Sequence, residues 1–128
     1  VARFRESLSF GWKSGLAGTP AHELTCERIF RAAAEGDTLA RHVVAETGRY
    51  LGVMAANLAN LLNPERCIFA GGMIRAGDLL FDAIREECAA RAFPAPAARM
   101  TILPAALGRD AGLIGAAGCA LTAFETSP

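Results

Sequence analysis

Residues Asn60-Leu61-Leu62-Asn63-Pro64-Glu65-Arg66-Cys67-Ile68-Phe69-Ala70-Gly71-Gly72 place a helix end, a turn, a strand and a glycine loop side by side. Pro64 cannot continue a helix, and its ring biases Asn63 away from the right-handed helical region. The helix that carries Leu58 and Leu62 therefore stops here. Cys67-Ile68-Phe69-Ala70 is a short apolar run bounded by turn residues, which predicts a strand covered on both faces. Gly71-Gly72 lets the main chain turn sharply, or lets it approach a ligand without Cβ atoms in the way. Strand, glycine loop and following helix can cradle a nucleotide; on their own they are also a common α/β turn.

Before this stretch the pattern is helical. Phe4, Leu8 and Trp12 recur at every fourth position, and Gly11, Gly15, Gly18 and Pro20 then interrupt, making Ser14–Glu23 a loop. Thr25 is placed to cap a helix that ends at Gly36, with Leu24 and Ile29 as its hydrophobic staple. Asp37 is placed to cap the longest helix. Leu39, Val43, Thr47, Leu51, Met54, Leu58 and Leu62 keep its period, and Gly48, Gly52, Ala55, Ala56 and Ala59 form a second, small stripe. Each glycine inside a helix costs about 1 kcal/mol against alanine, so this stripe predicts close approach by another element.

After the glycine pair, Met73–Gly77 reads as a loop and Asp78 as the cap of a helix reaching about Arg91, with Leu80, Ile84 and Cys88 inward. Phe93-Pro94-Ala95-Pro96 reads as a rigid connection. Met100–Leu103 is a second apolar strand, so strand, helix and strand form a right-handed crossover with parallel strands. Asp110 is placed to cap a last helix, with Gly112, Gly115, Ala116 and Cys119 on one small face. The tail from Glu125 should fray.

Thirteen basic residues balance thirteen acidic ones, and Lys13 is the single lysine, so no electrostatic platform for nucleic acid is present. With 52 % apolar and 20 % charged residues, the chain reads as one globular domain. Residues 1–24 form a helix and linker, and residues 25–128 form helices around a βαβ core. No apolar run reaches the roughly 18–20 residues of a membrane span. Cys26, Cys67, Cys88 and Cys119 are widely spaced and without a CxxC pair, which predicts reduced, mostly buried thiols in a cytoplasmic protein. The first residue is Val1 rather than Met, as expected of a processed or truncated chain.

Ligands of open α/β sheets bind beyond the carboxyl ends of the strands. That edge carries Gly71-Gly72 and Ala105–Asp110. A nucleotide here would set its base and ribose near Met73–Asp78 and its phosphates on main-chain N–H groups around Gly71-Gly72. Asp78 complicates this, because a carboxylate already occupies the positive end of the next helix. No complete catalytic set is visible. His22 and Cys26 straddle a helix start and make a poor metal pair. Ser7, Ser9 and Ser14 lack a local base. Asp37, Asp78 and Asp110 read as helix caps before general bases.

Taken as a series, Ala34-Glu35-Gly36-Asp37, Tyr50-Leu51-Gly52, Asn57 through Glu65, Ala70-Gly71-Gly72, Ala76 through Leu80 and Leu107 through Ala117 resemble the C-terminal part of the ROK family of bacterial sugar kinases and sugar-responsive repressors. The resemblance runs from about Thr25 to Leu121. It implies the second lobe of an actin-like ATPase (ribonuclease H-like) fold. It also implies that Ile68–Gly72, continued by Met73, forms the adenosine motif, with Gly71, Gly72 and Met73 as the nucleotide-binding residues. The helix over Gly112–Ala117 would pack at the hinge against the other lobe.

An intact kinase of this kind would phosphorylate a hexose or N-acetylated hexosamine using ATP and Mg²⁺. The phosphate loop, sugar-binding segment, catalytic aspartate and zinc cluster of the family belong upstream of the matched stretch, so these residues alone should not catalyse. A repressor parent would carry an upstream helix-turn-helix, and an assembly module would bind neither ATP nor DNA. With two strands and two small-faced helices lacking partners, the chain is expected to associate rather than stay monomeric.

Overall fold

The computed structural model describes residues 1–125. In chain order the elements are α1 (Ala2–Ser9), α2 (Cys26–Ala34), α3 (Thr38–Leu62), β1 (Arg66–Phe69), α4 (Asp78–Arg91), α5 (Pro94–Arg99), β2 (Thr101–Pro104) and α6 (Ala111–Glu125). Short 3-10 turns occupy Gly72–Ala76 and Gly108–Asp110. β1 and β2 pair in parallel, with Arg66 opposite Thr101 and Phe69 opposite Pro104. The architecture is a helix-rich α/β fold on a two-stranded parallel sheet.

Packing of α3 on α4 dominates the interior, and the glycine stripe is its cause. A Cβ on Gly48 would lie 2.7 Å from the Ala83 Cβ and 2.8 Å from the Leu80 carbonyl oxygen. One on Gly52 would lie 2.7 Å from both the Glu87 Cβ and the Ile84 carbonyl oxygen. The two backbones therefore touch where the sequence predicted close approach. Around this seam Leu39, Val43, Val44, Ala55 and Ala56 bury against Leu80, Phe81, Ile84 and Cys88, with Phe4 from α1 and Ile29 from α2 closing the same core.

Three residues, Glu35, Gly36 and Asp37, join α2 to α3. Gly36 takes a left-handed φ of 97°, and its N–H donates to Ala33 O at 3.2 Å. The Asp37 N–H donates to Ala32 O at 2.9 Å, completing a Schellman closure. Asp37 then starts α3: Oδ1 accepts from the Ala40 N–H at 2.9 Å. Its Oδ2 accepts from Ser14 Oγ at 2.7 Å and from the Gly15 N–H at 2.8 Å, so the same carboxylate ties down the loop before α2. Partial burial works against this charge, and the hydrogen bonds from Ala40, Ser14, Gly15 and Leu39 outweigh it, holding the carboxyl below its ordinary value. Thr25 caps α2 as predicted, its Oγ1 accepting from the Arg28 N–H at 3.2 Å.

At its far end α3 closes on Asn63, which sits in the left-handed region (φ 46°, ψ 50°) ahead of Pro64. Asparagine tolerates this conformation better than most side chains. One turn earlier, Asn60 has a role the sequence did not announce. Its Oδ1 accepts from the Phe93 N–H at 2.8 Å and its Nδ2 donates to Arg91 O at 3.5 Å, pinning the α4–α5 corner to α3.

Several expectations are corrected. Both strands lie one residue away from their predicted bounds: β1 starts at Arg66 and β2 ends at Pro104. The β1 strand is covered on one face only. Phe69 meets Phe81 of α4 edge to face at 6.2 Å, whereas Ile68 is 62 % exposed. Asp78 is not the cap of α4. Gly77 holds that position at φ 63°, ψ −148°, a conformation open to glycine, and Asp78 becomes the first helical residue.

Met73–Gly77 is mostly 3-10 turn rather than open loop. Phe93–Pro96 opens α5, because prolines in a first helical turn remove no intrahelical bond. Trp12 lies outside α1, which ends as Gly11 turns to φ 89°, and its ring stacks on His42 at 4.8 Å. Of the cysteines only Cys88 is buried; Cys67 is half-buried, while Cys26 and Cys119 are exposed. Burial pushes the Cys67 and Cys88 thiols up. α6 runs through Glu125, and the expected fraying of residues 126–128 lies outside the described residues. Among the described residues no helix is long and apolar enough to cross a membrane.

Candidate functional site

The carboxyl ends of both strands open onto one edge. The Ala105 N–H donates to Phe69 O at 2.8 Å, so the loop after β2 starts beside the loop after β1. From Phe69 the chain passes Ala70 to Gly71, whose φ of 100° and ψ of −177° suit glycine. Gly72 opens the 3-10 turn, which closes with the Gly77 N–H on Ile74 O at 3.2 Å.

Gly71 and Gly72 differ from the helix glycines in what surrounds them. A Cβ at either would meet no atom within 4 Å. For Gly71 the backbone conformation accounts for the missing side chain. Gly72 carries no left-handed φ and touches no neighbour, so neither local backbone nor internal packing accounts for it. Its bare Cα faces open space.

Gly72 also lines a groove between α2 and the 3-10 turn. About 380 Å³ is lined by Thr25, Cys26, Glu27, Phe30, Gly72, Met73 and Arg75. Beyond it, a further 280 Å³ is lined by Glu27, Phe30, Arg31, Ala34, Arg75 and Ala76. Phe30 supplies an aromatic wall to both, and Arg75 donates to Glu27 Oε1 at 2.8 Å across the groove. Phe30 and Met73 give the groove apolar surface, and Thr25, Glu27, Arg31 and Arg75 give it polar groups, a mixture that suits a small molecule.

Of the predicted nucleotide-binding residues, Gly72 and Met73 line this groove, and Gly71 shapes the turn that presents them. Thr25, Cys26, Glu27, Phe30 and Arg75 were not foreseen there. The Thr25 cap fixes where α2 starts, so Cys26 and Phe30, four residues apart, share a face. Which element that face meets is a tertiary fact without a local signal.

The other titratable residues stay apart from the groove. His22 is exposed beside Glu23, His42 stacks on Trp12, and Asp37 is engaged as a cap. Among the described residues no group of three or more His, Cys, Asp or Glu side chains forms a metal-binding cluster.

This helix-rich α/β fold is shared with solved proteins. The fold superposes on a putative sugar kinase from Cytophaga hutchinsonii with a TM-score of 0.83 and 31 % identity, over 94 % of this chain and 40 % of that one. A glucokinase of Halalkalibacterium halodurans is 44 % identical over 92 residues, which is 72 % of this chain and 28 % of the glucokinase. The DNA-binding transcriptional repressor Mlc of Escherichia coli is 29 % identical over 115 residues, 90 % of this chain and 27 % of the repressor. The chain thus spans well under half the length of these relatives. Residues 11–123 match the model of the ROK family, and the chain belongs to that family.

Proposed function

We propose that this chain is the nucleotide-side portion of the C-terminal lobe of a ROK sugar kinase, actin-like in fold, with residues 1–24 as helix and linker and 25–128 as the lobe itself. The intact cytoplasmic enzyme would transfer the γ-phosphoryl of ATP, charge-neutralised by Mg²⁺, to a hexose such as glucose or to an N-acetylhexosamine. Gly72 carries the reading: its side is bare, and nothing within the described chain requires that.

In this reading the turn from Gly71 brings main-chain N–H groups toward the phosphates, and the base lies along Met73 and Phe30. Phosphoryl transfer needs in-line positioning, a base for the sugar hydroxyl and groups that grip the transferred phosphoryl. The groove residues position the nucleotide, and the remaining groups come from the rest of such an enzyme. This portion by itself is then inactive.

The test is calorimetric titration of ATP·Mg²⁺, with and without glucose, into the full-length protein and its Gly72→Val variant. The expected result is sugar-enhanced ATP binding that weakens at least about tenfold in the variant, a loss of roughly 1.4 kcal/mol. The melting temperature should stay unchanged, because a Cβ at this position meets nothing within 4 Å. Equal affinity in both proteins would refute the reading.

The similarity to Mlc over 90 % of the chain favours a second reading, the effector and dimerisation lobe of a repressor. Sugar binding without ATP binding, together with sugar-dependent DNA affinity of the full-length protein, would establish it. Under either reading the chain is expected to associate. Leu113 and Phe124 of α6 are 74 % and 85 % exposed, and light scattering that shows a monomer at tens of micromolar would overturn this expectation.

A further inference from the structure

The Glu27–Arg75 ion pair stands on a boundary. Glu27, Phe30 and Arg75 line both the 380 Å³ space beside Gly72 and Met73 and the 280 Å³ space beside Ala34 and Ala76. Two of these three shared residues are joined to each other, Arg75 donating to Glu27 at 2.8 Å. Glu27 lies in the first turn of α2, and Arg75 lies in the 3-10 turn, three residues after Gly72. Among the described residues this is the one side-chain hydrogen bond that ties α2 to the glycine loop's turn.

We infer that the pair is a strap across the nucleotide groove, and that Glu27 and Arg75 are positioning residues for the nucleotide; the inference rests on the kinase reading above. The strap sets the width between α2 and the Gly72–Met73 turn. It also fences the base into the space beside Gly72, keeping it from sliding toward Ala34 and Ala76. Because carboxylate and guanidinium neutralise each other, the pair acts through geometry and adds no net charge for the triphosphate.

A different role for Arg75 would show a different sign. If Arg75 instead served as a phosphate ligand held in reserve by Glu27, removing Glu27 would free it and tighten ATP binding. If the pair is a strap, removing either partner loosens the groove and weakens binding. Both side chains are about half exposed, so the effect is modest and sensitive to salt.

The experiment is ATP·Mg²⁺ titration of the full-length protein at low ionic strength. The variants are Glu27→Ala, Arg75→Ala, the double alanine variant, the charge-swapped Glu27→Arg/Arg75→Glu, and Gly72→Val. The strap predicts affinity about two- to fivefold weaker in each single alanine variant, a loss of about 0.4–1 kcal/mol that lies within what an exposed ion pair supplies. The double variant should be no weaker than the singles, and the swapped pair should regain most of the loss. These differences should shrink in high salt, with melting temperatures unchanged. Tighter or unchanged ATP binding in Glu27→Ala, or a swapped pair as weak as the singles, overturns the strap. If Gly72→Val loses ATP in the same series, the kinase reading survives that failure; if Gly72→Val also binds normally, both fall.

Discussion

Replacing Gly48 or Gly52 with alanine tests the seam on which the fold is built. Alanine is the better helix former by about 1 kcal/mol, so on an isolated helix either change would stabilise. Here the new methyl would sit 2.8 Å from the Leu80 carbonyl oxygen at position 48, or 2.7 Å from the Ile84 carbonyl oxygen at position 52. Ordinary contact begins near 3.4 Å, so α3 and α4 would have to part by some 0.7 Å. The obstructing atoms are backbone oxygens together with the Cβ atoms of Ala83 and Glu87, none of which can rotate aside. Parting the helices also thins the contacts of Leu39, Val43 and Ala55 with Leu80 and Ile84.

Overpacking of this kind costs about 3 kcal/mol at its upper range, which leaves a net loss of about 2 kcal/mol after the propensity gain. For a chain of this size that is a fall of roughly 7 °C in melting temperature. Urea and thermal unfolding followed by far-ultraviolet circular dichroism would measure it. Since one separation relieves both clashes, the double variant should lose less than the two singles combined. Gly72→Ala is the control, expected within about 0.5 kcal/mol of the parent protein. A Gly48→Ala or Gly52→Ala protein as stable as its parent would refute the close-approach argument.

Other consequences are measurable. Asp37→Ala should lose about 1–2 kcal/mol, because it removes the α3 cap and the anchor of Ser14 and Gly15 together. The Asp37 carboxyl is depressed in the folded state, so its stabilisation is complete above the unfolded value near 3.9 and drains away as pH falls through the lower folded value. Asp37→Asn should therefore flatten the acid limb of a stability–pH profile, and an unchanged limb would contradict this. Asn60→Ala leaves the Phe93 N–H without its acceptor and should cost about 1 kcal/mol, seen in the same unfolding assays. His42→Ala uncovers one face of Trp12, the single tryptophan, and should shift its emission to longer wavelength.

Local chemistry made much of this structure readable. Thr25 and Asp37 announced two helix starts, because a side-chain oxygen ahead of an apolar period has few other uses. Asn63-Pro64 announced the end of α3, and the glycine stripe announced the α4 contact. Cys67–Ala70 and Met100–Leu103 located the parallel strands to within a residue. Misreadings arose where two residues competed for one task. Gly77 took the cap from Asp78 by adopting a backbone conformation unfavourable to side chains, and Pro94 opened a helix where proline had signalled a rigid connection.

Coverage of the strands was misjudged for another reason. An apolar run shows that a residue prefers burial, not that the covering layer lies within the same stretch, and Ile68 stays exposed here. The candidate site was half legible. Gly71, Gly72 and Met73 follow from the strand–loop pattern, while Phe30, Glu27 and Arg75 enter because α2 folds back over the turn, a placement governed by the buried contacts of Ile29 and Ala33.

The short joint of Glu35, Gly36 and Asp37 would let α2 act as a lever. Its fulcrum is clamped, since Asp37 is bonded to Ala32, Ala40, Ser14 and Gly15 at once. A helix of this length reaches about 13 Å from that fulcrum, so a 10° swing would displace its far end by about 2 Å and leave the hinge end nearly still. The far end is Cys26 and Glu27, beside Gly72 and Met73 and held there by the Glu27–Arg75 bond; the still end is Ala34, beside Ala76. Loss of that bond would thus open the groove unevenly along its length, most where the bare glycine lies.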